Sequence, residues 1–152
     1  MNNVEEKNSI SVMNNTILFV RRYPLSLLCI ASIWYLCIWF LPPELPELEN
    51  IAFLDKWTHF VMYGGTCSII WWEYLYNHER MPWFYTLQKG WKRLLLLAWL
   101  APILMSGCIE IIQEYCTENR AGEWLDLAAN ATGCTLGAII GLFMTFFRGK
   151  GY

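Results

Sequence analysis

Hydrophobic residues run along the chain in four long stretches, separated by short polar segments. Charges are absent from Tyr23–Leu41. Trp57–Tyr76 is interrupted only by His59 and Glu73, Leu94–Ile112 carries Glu110 near its end, and Trp124–Phe147 carries Asp126 near its start. About 20 apolar residues cross a bilayer as a helix. The pattern therefore predicts an all-α, polytopic membrane protein: one domain over residues 1–152, built as a four-transmembrane-helix bundle. Composition agrees, with 56% hydrophobic residues, 16% charged and nine tryptophans in 152 residues. A polar stretch precedes the first span and no cleavage site is visible, so that span is expected to be retained.

Lys and Arg in the short loops set the expected orientation. Lys7, Arg21 and Arg22 precede span one. Arg80, Lys89, Lys92 and Arg93 fall between spans two and three, and Arg148 and Lys150 follow span four. With both termini cytoplasmic, these residues lie inside and only Lys56 and Arg120 lie outside. The outer loops are acidic: Glu44, Glu47 and Glu49 punctuate a proline-rich connection, and Glu114 to Glu123 joins spans three and four. Trp39, Trp57 and Trp124 outside, with Trp71, Trp72 and Trp91 inside, are placed as interfacial anchors. The net charge of −2 and the lack of a basic tract give no reason to expect nucleic acid. Five of the six cysteines fall inside spans and read as small apolar side chains.

Two features bear on packing. Pro102 near the middle of span three should kink its helix. Ala129, Gly133, Gly137 and Gly141, spaced by four, lay a small-residue stripe along span four where another helix can approach closely.

Charges within or at the rim of a span are costly and need a reason. Asp55 and His59 share a helical face, with Lys56 beside them and Tyr63 one turn deeper. Glu110, Gln113 and Glu114 share a face at the end of span three. Asp126 opens span four, and Asn130 follows one turn on. Glu110 lies about 24 Å along its helix from Leu94, near the outer surface of a core about 30 Å thick. Three helices thus bring ionisable groups to one depth, with Arg120 above them as an available cation. Glu73 and Glu79, near the inner face, read as solvated charges.

Asp55-Lys56-x-x-His59-Phe60-x-x-Tyr63, then Glu110-x-x-Gln113, then Arg120, Asp126, Asn130, Gly133 and Gly137, resembles the VanZ-like family over residues 55–141. The resemblance implies a bacterial cytoplasmic-membrane protein of the cell envelope, and the family's namesake is associated with teicoplanin resistance. The residues leave three functions open. One is binding of an anionic lipid-linked or glycopeptide-type ligand, with membrane lipids around it, by Asp55, Lys56, His59, Tyr63, Glu110, Gln113, Arg120, Asp126 and Asn130. A second is an enzyme acting on a lipid-linked phosphate substrate, with His59 as base or nucleophile; a variant of it places a divalent metal on His59, Glu110 and Asp126. The third is a polar cluster that only knits the helices together. The binding reading calls for no metal and no cofactor.

Overall fold

The computed structural model describes residues 2–39, 54–78, 90–117 and 122–148. These residues form helices α1 (Asn2–Arg22), α2 (Pro24–Ile38), α3 (Leu54–Asn77), α4 (Trp91–Cys116) and α5 (Trp124–Arg148), with no strand among them. Two, α4 and α5, are long and apolar enough to cross a membrane. The pair α1 and α2, bent by 86° about Tyr23, makes a third if taken as one span. The polar stretch before the first span is therefore helical. Pro24 stands at the first position of α2, where its fixed φ suits a helix start and its missing N–H costs no bond.

The apolar and polar residues are distributed as lipid surroundings require. Leu104, Ile111, Leu136, Phe143, Phe146 and Phe147 face outward. Ser26, His59, Thr66, Glu73, Ser106, Glu110, Gln113, Asp126, Asn130 and Thr145 are buried. In water such a surface would be a large aggregation-prone patch; in a bilayer the polar groups must find partners inside the protein. Helix α3, 24 residues long, carries Asp55, Lys56 and Glu73 and is less apolar than its neighbours, and its His59, Thr66 and Glu73 side chains turn inward.

The most extensive contact in the molecule joins α3 to α5. Glycine makes it possible. A Cβ on Gly133 would strike the Phe60 carbonyl oxygen, and one on Gly137 would lie 2.5 Å from the Gly64 carbonyl oxygen and 2.7 Å from the Cys67 Cβ. Gly141 lies flat against the Trp71 indole. The expected stripe thus faces α3. Trp71 is consequently a buried residue rather than an interfacial anchor, and its indole N–H donates to Thr145 Oγ1 at 3.0 Å. Ile33, Cys37, Tyr63, Cys67, Ile109 and Cys134 form one core cluster, and Trp71, Leu75, Leu94, Ala98 and Ala138 a second.

Helix α4 departs from regularity where Pro102 predicts it. Residues Leu96–Leu100 form a π-turn, closed by the Ala101 N–H on the Leu96 carbonyl five residues back. A proline ring crowds the carbonyl four residues before it, here that of Ala98, and the widened turn relieves that crowding.

Glu73 differs from its reading as a solvated charge. It is buried, and its carboxylate accepts from the Leu25 N–H and Ser26 N–H, both at 2.9 Å, and from the Ser26 hydroxyl. Tyr23 gives α2 no side-chain cap, so α3 satisfies the free N–H groups of α2 from across the interface. Asn77 adds a bond from its side-chain amide to the Arg22 carbonyl at 2.5 Å. At the other end of α2, Gln113 Nε2 donates to the Cys37 carbonyl at 2.8 Å.

The seam makes a clear prediction. Gly137→Ala should destabilise the protein by about 1–3 kcal/mol through overpacking. Gly65→Ala should be neutral or gain up to about 1 kcal/mol from helix propensity, because nothing lies within 4 Å of a Cβ there. Thermal unfolding of the two variants in detergent checks the contrast.

Candidate functional site

The first turns of α3 and α5 and the last turn of α4 come together at one end of the bundle. The seam decides this: with Phe60 and Gly64 against Gly133, the residues one turn earlier on both helices must also meet. Lys56, on α3, extends its ammonium among three carboxylates, reaching Asp126 Oδ1 at 2.6 Å, Glu123 Oε2 at 2.5 Å and Asp55 Oδ2 at 3.2 Å. Asp126 is buried, whereas the Asp55 and Glu123 side chains are 61% and 53% exposed, so the cluster runs from the interior to the surface. The inner pair is the costly one to break, since a buried carboxylate without a partner loses its hydration uncompensated; the outer pairs are screened and contribute little.

His59 lies one turn further in and is buried. Its Nδ1 is 3.1 Å from Asn130 Oδ1 on α5, and Asn130 Nδ2 donates to Ser106 Oγ on α4 at 2.7 Å. This chain ties three helices across the bundle. His59 Nε2 points the other way, 3.8 Å from Asp55 Oδ1 and 3.9 Å from Asp126 Oδ2. Tyr63, wholly buried, continues the α3 face towards the core.

Glu110 is buried near the end of α4 and is held by the segment that leads into α5. Its Oε2 accepts from the Glu123 N–H at 3.0 Å, and Glu114 Oε2 accepts from the Gly122 N–H at 3.0 Å. Gly122 is required here, since a Cβ would collide with the Glu110 carbonyl oxygen. Glu110 Oε1 is buried and has no hydrogen-bond partner among the described residues.

The structure therefore gathers Asp55, Lys56, His59, Glu110, Asp126 and Asn130. Gln113 turns aside to α2, and Tyr63 borders the cluster from below. Arg120 lies outside the described residues, as do the acidic connection at 42–49, Glu79 and the basic residues Arg80, Lys89 and Lys150. Three participants were not singled out from the sequence as site residues: Ser106, Gly122 and Glu123. Ser106 is a lone hydroxyl in an apolar run, and Gly122 and Glu123 sit in a loop where neither residue type stands out.

The arrangement can do two things chemically. Glu110 offers a buried carboxylate oxygen to a donor. Asp55, His59 and Asp126 offer ligand atoms within 4.8 Å of one another, a set able to hold a metal ion. In fold and surface character the chain is a helical membrane protein with a polar cluster at one end. No known family model, curated protein or solved structure matches it.

The bridge through Asn130 is testable. Asn130→Leu removes the partner of His59 Nδ1 and of Ser106 Oγ, at a cost of about 1–3 kcal/mol for each buried group left unpaired. Thr132→Val, on the exposed face where the hydroxyl bonds only its own helix at the Ala128 carbonyl, should change stability by less than about 0.5 kcal/mol. Unfolding in a denaturing detergent series separates the two.

Proposed function

We propose that the chain is a VanZ-like protein of the bacterial cell envelope that binds the head of an anionic amphiphile, lipid-linked or glycopeptide-type, at the outer face of the cytoplasmic membrane. In this reading α2, α3, α4 and α5 are its four spans, α1 lies along the inner surface and both termini are cytoplasmic. The basic residues around α1, α4 and the C-terminus support that orientation, which turns the end bearing Lys56, Glu110 and Asp126 outward. Helix α3, about 36 Å long at 1.5 Å per residue, has the length to cross. The resemblance over residues 55–141 supports the family assignment.

The observation that carries the binding reading is Glu110 Oε1, buried and unpaired among the described residues. A network that served only to hold helices together would be expected to satisfy its own buried atoms. Hydroxyl or amide donors of a glycan or peptide head group supply what Glu110 lacks. Lys56 is already shared by three carboxylates, so the anionic part of the ligand falls to Arg120, whose planar guanidinium suits phosphate or carboxylate. The ion pairs of Lys56 and the chain through Asn130 favour the structural alternative, and the test separates the two.

The test is thermal unfolding of the purified protein in detergent with a polyprenyl phosphate, phosphatidylglycerol and a teicoplanin-type glycopeptide in turn. A ligand of the folded state at 100 times its Kd adds about 2.7 kcal/mol. One of the three should raise the Tm by several degrees, and the rise should be lost in folded Glu110→Gln and Arg120→Ala. No shift from any of them, with both variants strongly destabilised, would show the cluster to be structural.

A further inference from the structure

His59 is fixed through one nitrogen and open at the other. The Asn130 amine is committed to Ser106, so the Asn130 carbonyl oxygen faces Nδ1. Nδ1 therefore carries a proton, and in the neutral ring Nε2 presents a lone pair. A metal-ligating histidine is oriented in just this way, by a hydrogen bond from its far nitrogen to an oxygen acceptor. His59 is 4% exposed, and Nε2 has no hydrogen bond among the described residues, because its neighbours Asp55 Oδ1 and Asp126 Oδ2 stand off at 3.8 and 3.9 Å.

An unprotonated Nε2 facing two carboxylate oxygens is repulsive; a proton on Nε2, which would make an imidazolium paired with both aspartates, or a metal ion between the three groups relieves it. The spacing suits a metal ion. Two ligand atoms bound at about 2.1 Å in tetrahedral geometry are about 3.4 Å apart; His59 Nε2 is a few tenths of an ångström further than that from each carboxylate, and all three ligand atoms lie within 4.8 Å of one another. Lys56 does not take this place. It uses the opposite oxygens, Asp55 Oδ2 and Asp126 Oδ1, so each carboxylate spends one oxygen on the ammonium and turns the other towards His59. Among the described residues charge favours a further cation, since Asp55, Glu123 and Asp126 gather round the one Lys56 ammonium. Glu110 leaves its buried Oε1 without a hydrogen-bond partner among the described residues.

We propose that Asp55, His59 and Asp126 bind one divalent transition-metal ion of the Zn²⁺ kind through Oδ1, Nε2 and Oδ2. The imidazole nitrogen selects such an ion over Mg²⁺ or Ca²⁺, which take oxygen ligands. Three protein ligands leave a fourth position for water or an exchangeable group. The assignment stands independently of the amphiphile reading, because metal binding is measured without any lipid or glycopeptide.

The full-length protein is purified in detergent, stripped with a chelator and dialysed against Zn²⁺. Metal per chain is read by mass spectrometry, and the Kd by competition with a chromophoric chelator. Wild type should hold one Zn²⁺ per chain, undisturbed by excess Mg²⁺. Asp55→Asn, a change at an exposed side chain that leaves the buried pairs intact, should weaken binding at least tenfold, and His59→Gln should do the same. Lys56→Met, which removes a competing positive charge without removing a ligand, should bind Zn²⁺ at least as tightly as wild type. Absence of stoichiometric Zn²⁺ in the wild type overturns the site. So does wild-type affinity in Asp55→Asn, which would move the metal elsewhere, for example to the cysteines. Weakening in Lys56→Met equal to that in Asp55→Asn also overturns it, because the integrity of the cluster rather than ligation would then govern binding.

Discussion

The close approach of α3 and α5 is the constraint on which the rest of the structure depends. In lipid, helices gain nothing by hiding apolar side chains from one another, so association rests on van der Waals contact and hydrogen bonds, both of which need short distances. Gly64, Gly133 and Gly137 supply those distances, with the backbone of one helix against the backbone of the other. Once this register is set, little freedom is left at the ends. Asp55, Lys56 and His59 on α3 must meet Asp126 and Asn130 on α5, and Trp71 must cover Gly141.

The polar residues then do at each end what the glycines do between. Lys56 and Asp126 join α3 to α5, His59, Asn130 and Ser106 extend the tie to α4, and Gln113 reaches α2. At the opposite end Glu73 and Asn77 hold the start of α2. The open backbone groups at the ends of α2, 15 residues long, would be costly in hydrocarbon. Fastening it at both ends by side chains of neighbouring helices meets that need. The ties also account for the pattern of burial, in which charged and amide side chains lie inside while leucines and phenylalanines face out.

Much of this was legible in the sequence, because long apolar runs and a spacing of four are strong signals. The stretches at 57–76, 94–112 and 124–147 lie within α3, α4 and α5, and the glycine stripe marked the face that α3 meets. The spacing of Asp55 and His59 put them on one side of α3, and the depth of Glu110 put it level with Asp126. The rest depended on partners that no local pattern displays. Glu73 looked like a rim charge because its partners are backbone groups 47 and 48 residues away. Trp71 looked like an anchor because indoles favour interfaces, yet Gly141 opens a place for it inside. Helix α1 has no clean apolar face, so neither its helicity nor its 86° departure from α2 showed in a periodic pattern. Ser106 gave no signal at all, since a single serine is unremarkable in an apolar run until Asn130 is seen beside it.

The central claim is that Lys56 and Asp126 act as one unit that locks the N-terminal ends of α3 and α5. A double-mutant cycle with Lys56→Met, Asp126→Asn and the pair, followed by unfolding in detergent, tests it most directly. If the two act as a unit, each single change strands a buried or half-buried charge, and the double variant loses less than the sum of the two. The coupling should be at least about 1.5 kcal/mol, within the range for contacting residues in one network. Additivity within about 0.3–0.5 kcal/mol, the behaviour of independent sites, would contradict the account and leave the glycine seam to hold the two helices alone.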